Sequence, residues 1–231
     1  MTPALILASA SPARAKLLSD AGIVHTVLVS DVDEDAATAA AGPLAPAEIA
    51  LLLARCKAEA VAAVVPGSPP GGEPGSPAGG EPGVLVLGCD SVFELDGAPY
   101  GKPWEPEVAR ERWRQMRGRS GILHTGHWLA TPHSSPRDAG SRAGRGEVTS
   151  AVVRFEDVTD AEIDAYVATG EPLQVAGAFT IDGLAGAFIS GVDGDPHTVV
   201  GLSISTLRRL LALSGVAITD LWVQHFEVEP G

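Results

Sequence analysis

The sequence predicts a mixed-sheet α/β fold on two observations. Apolar strand-like runs alternate with amphipathic helix-like runs, and some strands follow one another with no helix between them. The 231 residues suffice for a substantial core and read as one domain over 1–231, carrying two low-complexity insertions.

The elements follow in order. Residues 5–8, "LILA", read as a short buried strand. "SPARAKLLSDAG" then opens a helix, with Ser11 as N-cap, Pro12 at the first helical position and Gly22 as the stop. "DVDEDA" (31–36) reads as a solvated acidic turn. "AEIALLLARCKAEAVAAVV" (47–65) combines a broad apolar face with strong helix formers. The stretch 66–83 holds only Gly, Pro, Ser, Glu and one Ala, has nothing to bury, and is expected to be an extended or disordered loop. "VLVLGCDSVFEL" (84–95) is a continuous apolar strand interrupted by Asp90. Residues 106–118 form a helix that Gly118 stops. Residues 121–131 and 147–158 read as neighbouring antiparallel strands, joined by a loop over 132–147. A capping box from Thr159 to Glu162 starts the helix of 159–170. The Gly-rich stretch 176–195 suggests a pair of hairpins, and 203–215 is the last helix.

Composition excludes several functions. A formal net charge of −13 argues against extended nucleic-acid binding, which needs Lys and Arg along a surface, though a few local cations can still hold a small anion. No apolar run approaches the ~18 residues of a transmembrane helix, and Ser9, Ser11 and Arg14 interrupt the start too early for a signal peptide. Cys56 and Cys89 lack metal-ligand spacing and read as small core residues. A cytoplasmic address is therefore expected.

The scarce cations carry the functional signal. Arg14 stands where a capping box would place Glu or Gln, beside the positive end of a helix dipole, at a cost of roughly 0.3–1 kcal/mol. Two readings are open. A phosphate at this N-terminus would gather the free amides, Ser9, Ser11 and Arg14, each charge-assisted bond contributing about 1.5–3 kcal/mol. Alternatively, Arg14 faces solvent and pairs with Asp20 or Glu34. Asp90, inside an apolar run, must be paired, hydrogen-bonded or bound to a cation. Lys102 sits between Gly101 and Pro103 in a constrained loop that could reach a phosphate, although an ordinary turn lysine fits as well. Lys57 reads as a solvated helix charge, and the acidic turn holding Glu34 could take up Mg²⁺. His124 and His127, three apart on a strand, face opposite ways and make a poor metal pair.

In order, "LASASPARAKLLSDAGI", "DVDED", "LARCKAEAV", "LGCDSVFELDGAPYGKP", "ARERWRQMRGRSGILHTGHWL", "YVATGEPLQVAGAFTIDG" and "GDPHTVVGLSI" resemble the Maf family of nucleoside triphosphate pyrophosphatases. The resemblance spans nearly the whole chain outside the two loops. It implies an elongated α/β fold with a central mixed sheet, a deep nucleotide cleft and a homodimer. It also implies hydrolysis of a nucleoside triphosphate to monophosphate and pyrophosphate with Mg²⁺ or Mn²⁺, a house-cleaning task. By position, Ser9, Ser11 and Arg14 match the family's phosphate-binding opening. Glu34 matches the acid of its acidic turn, Lys57 its helix lysine, Lys102 the lysine before proline, and Asp90 the catalytic aspartate; the residue types suit Asp90 and Glu34 to hold the metal. Four positions depart from the pattern: Ala13 replaces an arginine, Gln174 and Val175 replace a charged pair, and Asp182 replaces a glutamine. The alternatives are a related phosphoanhydride hydrolase clearing deaminated purine triphosphates, and a regulatory nucleotide-binding protein of cell-division arrest that does not turn its ligand over.

Overall fold

The computed structural model describes residues 3–65, 83–132 and 144–222. The insertion over 66–83 therefore lies outside the described residues except for Gly83, and so does most of the one over 132–147.

A single mixed sheet organises the molecule. Its strands are β1 (Ala4–Ala8), β2 (His25–Val27), β3 (Val84–Leu95), β4 (Ala98–Tyr100), β5 (Ser120–Ala130), β6 (Gly144–Phe155) and β7 (Ile189–Asp193). The order is β2-β1-β3-β5-β6-β7, with β4 added on β3. The β2-β1-β3 portion is parallel and the remainder antiparallel. The parallel pairs need crossovers, which the helices α1 (Pro12–Asp20), α2 (Glu34–Ala41) and α3 (Pro46–Val64) supply. Helices α4 (Pro106–Met116), α5 (Asp160–Ala168), α6 (Pro196–Val200) and α7 (Ile204–Leu213) complete the layers.

The helix caps form as the sequence dictates. Ser11 accepts from the Arg14 amide at 3.4 Å, Thr159 and Glu162 close their capping box, and Ser203 accepts from the Thr206 amide at 3.1 Å. Core packing divides around the sheet. On one side Phe93, Trp113, Phe155, Tyr166, Phe179 and Phe188 meet edge to face, and the buried Trp113 indole donates to the Ala178 carbonyl at 2.8 Å. A second apolar cluster joins Leu5, Leu7 and Leu87 to Leu18, Leu207 and Leu210.

The contact that matters most for the site is α3 lying on β3 and β5. A Cβ on Gly88 would sit 2.1 Å from the Ala54 carbonyl oxygen, and one on Gly126 would sit 2.3 Å from that of Ala50. Neither strand could carry a side chain there and still receive the helix. Two glycines in adjacent strands, opposite the small residues Ala50, Ala54 and Ala58, bring α3 unusually close.

Three expectations are corrected. The acidic stretch is not a turn: Asp33 caps α2 by accepting from the Ala36 amide at 2.9 Å, and Glu34 and Asp35 occupy its first turn, where the dipole favours them. The stretch 176–195 contains one strand, β7, rather than a hairpin pair. Before β7 the chain winds through 3₁₀ turns at Ala176–Ala178 and Leu184–Phe188, and the Glu171 carboxylate holds the Leu184 and Ala185 amides at 3.0 and 3.4 Å. Finally, Gly144 and Gly146, read as loop, are strand residues of β6 whose missing side chains make room for the Trp128 ring.

Candidate active site

Strand β1 ends at Ala8, opposite Gly88, while β3 runs on to Leu95. The step between them forms one wall of a cleft of about 580 Å³, and the N-terminus of α1 opens into it. Ser9, Ser11, Arg14, Glu34, Lys57, Asp90 and Lys102, the seven residues singled out from the sequence, all line this cleft.

Asp90 shares the face of β3 on which α3 rests, so the helix delivers Lys57 to it. The Lys57 ammonium donates to Asp90 Oδ1 at 2.5 Å and lies 2.8 Å from Glu34 Oε1 at the start of α2. Its side chain is only 11% exposed, so Lys57 is a largely enclosed bridge rather than a solvated helix charge. Burial pushes the Asp90 carboxyl above its ordinary range; the charges of Lys57 and Arg14 oppose that without cancelling it. Burial works the same way on Glu34 but is outweighed there. The Lys57 hydrogen bond and the charges of Lys57, Lys102 and Arg14 hold Glu34 below the usual carboxylate range. The two carboxylates thus converge on one point. Among the described residues no third His, Cys, Asp or Glu joins them in a cluster able to hold a metal alone. Two carboxylates suit a hard divalent cation that takes its remaining ligands from phosphate oxygens and water.

Neither ion pair considered for Arg14 forms. Asp20 pairs with Lys16 at 2.6 Å and Glu34 with Lys57. The Arg14 guanidinium is held instead by neutral acceptors: Nε donates to the Gly201 carbonyl at 2.8 Å, one terminal nitrogen to Ser9 Oγ at 3.1 Å and the other to Ser91 Oγ at 3.1 Å. Its charge is therefore uncompensated by direct pairing among the described residues. Ser9 Oγ also accepts from the Ser11 amide at 3.2 Å, which fixes the turn into α1. Lys102 is exposed, its ammonium 5.3 Å from the Trp104 ring centroid.

Sequence reasoning missed Ser91, Glu171 and Thr180, which also line the cleft. Glu171 accepts from Tyr166 Oη at 2.9 Å and Thr180 Oγ1 at 2.6 Å besides the two amides, so it organises the far wall. Ala13, Gln174, Val175 and Asp182 lie in the same lining. No motif could have announced these contacts, because their partners are set by the fold.

Cys89, His124 and His127 do not line the cleft. Cys89 is fully buried and its thiol is pushed up to about 12, mainly by burial. His124 bridges Ser150 Oγ and Glu94 Oε2 at 2.7 and 2.9 Å. His127 accepts from the Ser203 amide at 2.8 Å, and burial lowers its pKa to about 4.

A family model described as "Maf-like protein" matches residues 4–213. A nucleoside triphosphate pyrophosphatase of Leifsonia xyli subsp. xyli is 54% identical over 222 residues, covering 94% of this chain and 96% of that one. Proteins of the same name are similar in Streptomyces coelicolor, at 50% identity over 94% of each chain, and in Nocardia farcinica, at 48% identity over 96% of this chain and 98% of the other.

Proposed function

The chain belongs to the Maf-like protein family, and from that premise we propose that its cleft hydrolyses nucleoside triphosphates to the monophosphate and pyrophosphate. It is a phosphoanhydride hydrolase, and its task is clearing the nucleotide pool of the cytoplasm. The observation that carries this reading is the meeting of Arg14, Lys57 and Lys102 with Asp90 and Glu34 at the open N-terminus of α1.

The residues divide the work by chemistry. Arg14, Lys102 and the N-terminus of α1 bind the triphosphate tail, where the helix dipole favours negative charge. Lys57 turns from its carboxylates to the phosphate oxygens as these enter, because both are acceptors for the same ammonium. Asp90, a stronger base than an exposed carboxylate, takes the proton of a water attacking the α-phosphorus. Pyrophosphate leaves with its charge already compensated by the cations, an effect worth roughly 2.7–4 kcal/mol for comparable donors. Mg²⁺ or Mn²⁺ held by Asp90 and Glu34 would spread the phosphate charge further and orient the tail.

The regulatory alternative explains the buried acid poorly. A carboxylate facing a polyanion weakens mere binding, whereas hydrolysis uses it. A screen of ordinary and modified triphosphates, with Mg²⁺ and Mn²⁺ compared, tests the reading through pyrophosphate release. Tight triphosphate binding without pyrophosphate release across the panel would overturn it.

A further inference from the structure

We propose that Ser91 is a positioning residue that acts through Arg14, the terminus of a one-directional hydroxyl relay that aims the guanidinium into the cleft. The inference rests on the reading of the cleft as a triphosphate pocket.

The proton count sets the direction of the relay. Thr125 is fully buried, and its hydroxyl donates to the Thr198 carbonyl at 2.8 Å, which uses its only proton. Ser91 Oγ lies 2.9 Å from Thr125 Oγ1, so Ser91 must be the donor in that bond. With its own proton committed, Ser91 Oγ can only accept from the Arg14 terminal nitrogen 3.1 Å away. Each oxygen thus accepts from the next group in the series Thr198, Thr125, Ser91 and Arg14.

The consequence lies in what Arg14 has left. A guanidinium has five N–H groups. Three are used, on Gly201, Ser9 and Ser91, leaving one N–H on each terminal nitrogen. A planar guanidinium held at all three nitrogens, with one N–H per terminal nitrogen still free, is prepared for two oxygens of a phosphate. Because the three fixing acceptors are neutral, the full charge faces the ligand. Lys57, by contrast, must first leave two carboxylates. Arg14 is therefore the preset grip of the cleft, and Ser91 holds its angle from 77 residues away in sequence.

Inorganic pyrophosphate titrated calorimetrically into the full-length protein is the direct probe, with Ser91→Ala, Ser91→Thr and Thr125→Val compared. Ser91→Ala should weaken pyrophosphate binding about tenfold, the order of one charge-assisted hydrogen bond. Ser91→Thr, which keeps the hydroxyl, should restore it. Thr125→Val should weaken it by less, because Ser91 can still accept. The decisive arm is a cycle with Arg14→Ala: if Ser91 acts through Arg14, adding Ser91→Ala to Arg14→Ala changes nothing further. Circular dichroism confirms that each variant is folded, and should Ser91→Ala not fold, the Thr125→Val pair with Arg14→Ala carries the same test. Additive losses in the cycle, or full binding by Ser91→Ala, would overturn the proposal alone. Absence of pyrophosphate binding by the wild-type protein would overturn it together with the pocket reading.

Discussion

Asp90 and Lys57 show how a local misfit in sequence becomes chemistry in three dimensions. An acid in an apolar strand demanded a partner, and the fold supplies an ammonium at 2.5 Å. Removing only the cation strands two carboxylates, so Lys57→Met should cost about 3–5 kcal/mol in urea unfolding. Asp90→Asn keeps the shape and leaves Lys57 its bond to Glu34. It should remain folded yet lose at least ~10²-fold in turnover, the scale of a general base, as steady-state pyrophosphate release would show. Arg14 and Asp90 were legible because each breaks a rule its neighbours obey. Ser91 and Glu171 break none, and their partners stand far off in sequence, which hid them.

At the scale of elements, close approach does what propensity cannot. Helix α3 reaches Asp90 because Gly88 and Gly126 let it rest on backbone. Gly88→Ala forces a methyl to within 2.1 Å of the Ala54 carbonyl, so the helix must lift. We expect a loss of about 1–3 kcal/mol in thermal or urea unfolding, with a fall in turnover as Lys57 withdraws from Asp90. The capping box of α5 makes a useful contrast. Thr159→Ala should cost about 1 kcal/mol and leave turnover intact, since α5 contributes nothing to the cleft lining. Helices with strong caps were readable in advance to within a few residues. The segment 176–195 was not: its glycines resemble hairpin turns, and the distant Glu171 carboxylate holds the amides that start the 3₁₀ turn of Leu184–Phe188.

For the whole molecule, alternating elements were enough to predict a mixed sheet but not its order. The switch from parallel to antiparallel at β3 depends on which helices cross over, and the short β2, β4 and α6 carry too little pattern to be seen beforehand. Global stability should carry the imprint of His127, which stays neutral to about pH 4 when folded. Unfolded, it takes up a proton near pH 6.5, so the unfolded state binds more protons between these values and stability falls as pH drops through that window. The loss is on the order of 3 kcal/mol by pH 4, and His127→Gln should flatten this part of the pH–stability curve in urea titrations.

Hydrolysis in ¹⁸O-labelled water, with both products weighed by mass spectrometry, tests the central claim most directly. Attack on the α-phosphorus by a water that Asp90 activates predicts one heavy oxygen in the monophosphate, none in the pyrophosphate, and near-disappearance of labelled product with Asp90→Asn. Label in the pyrophosphate, or labelling undiminished in that variant, would contradict it.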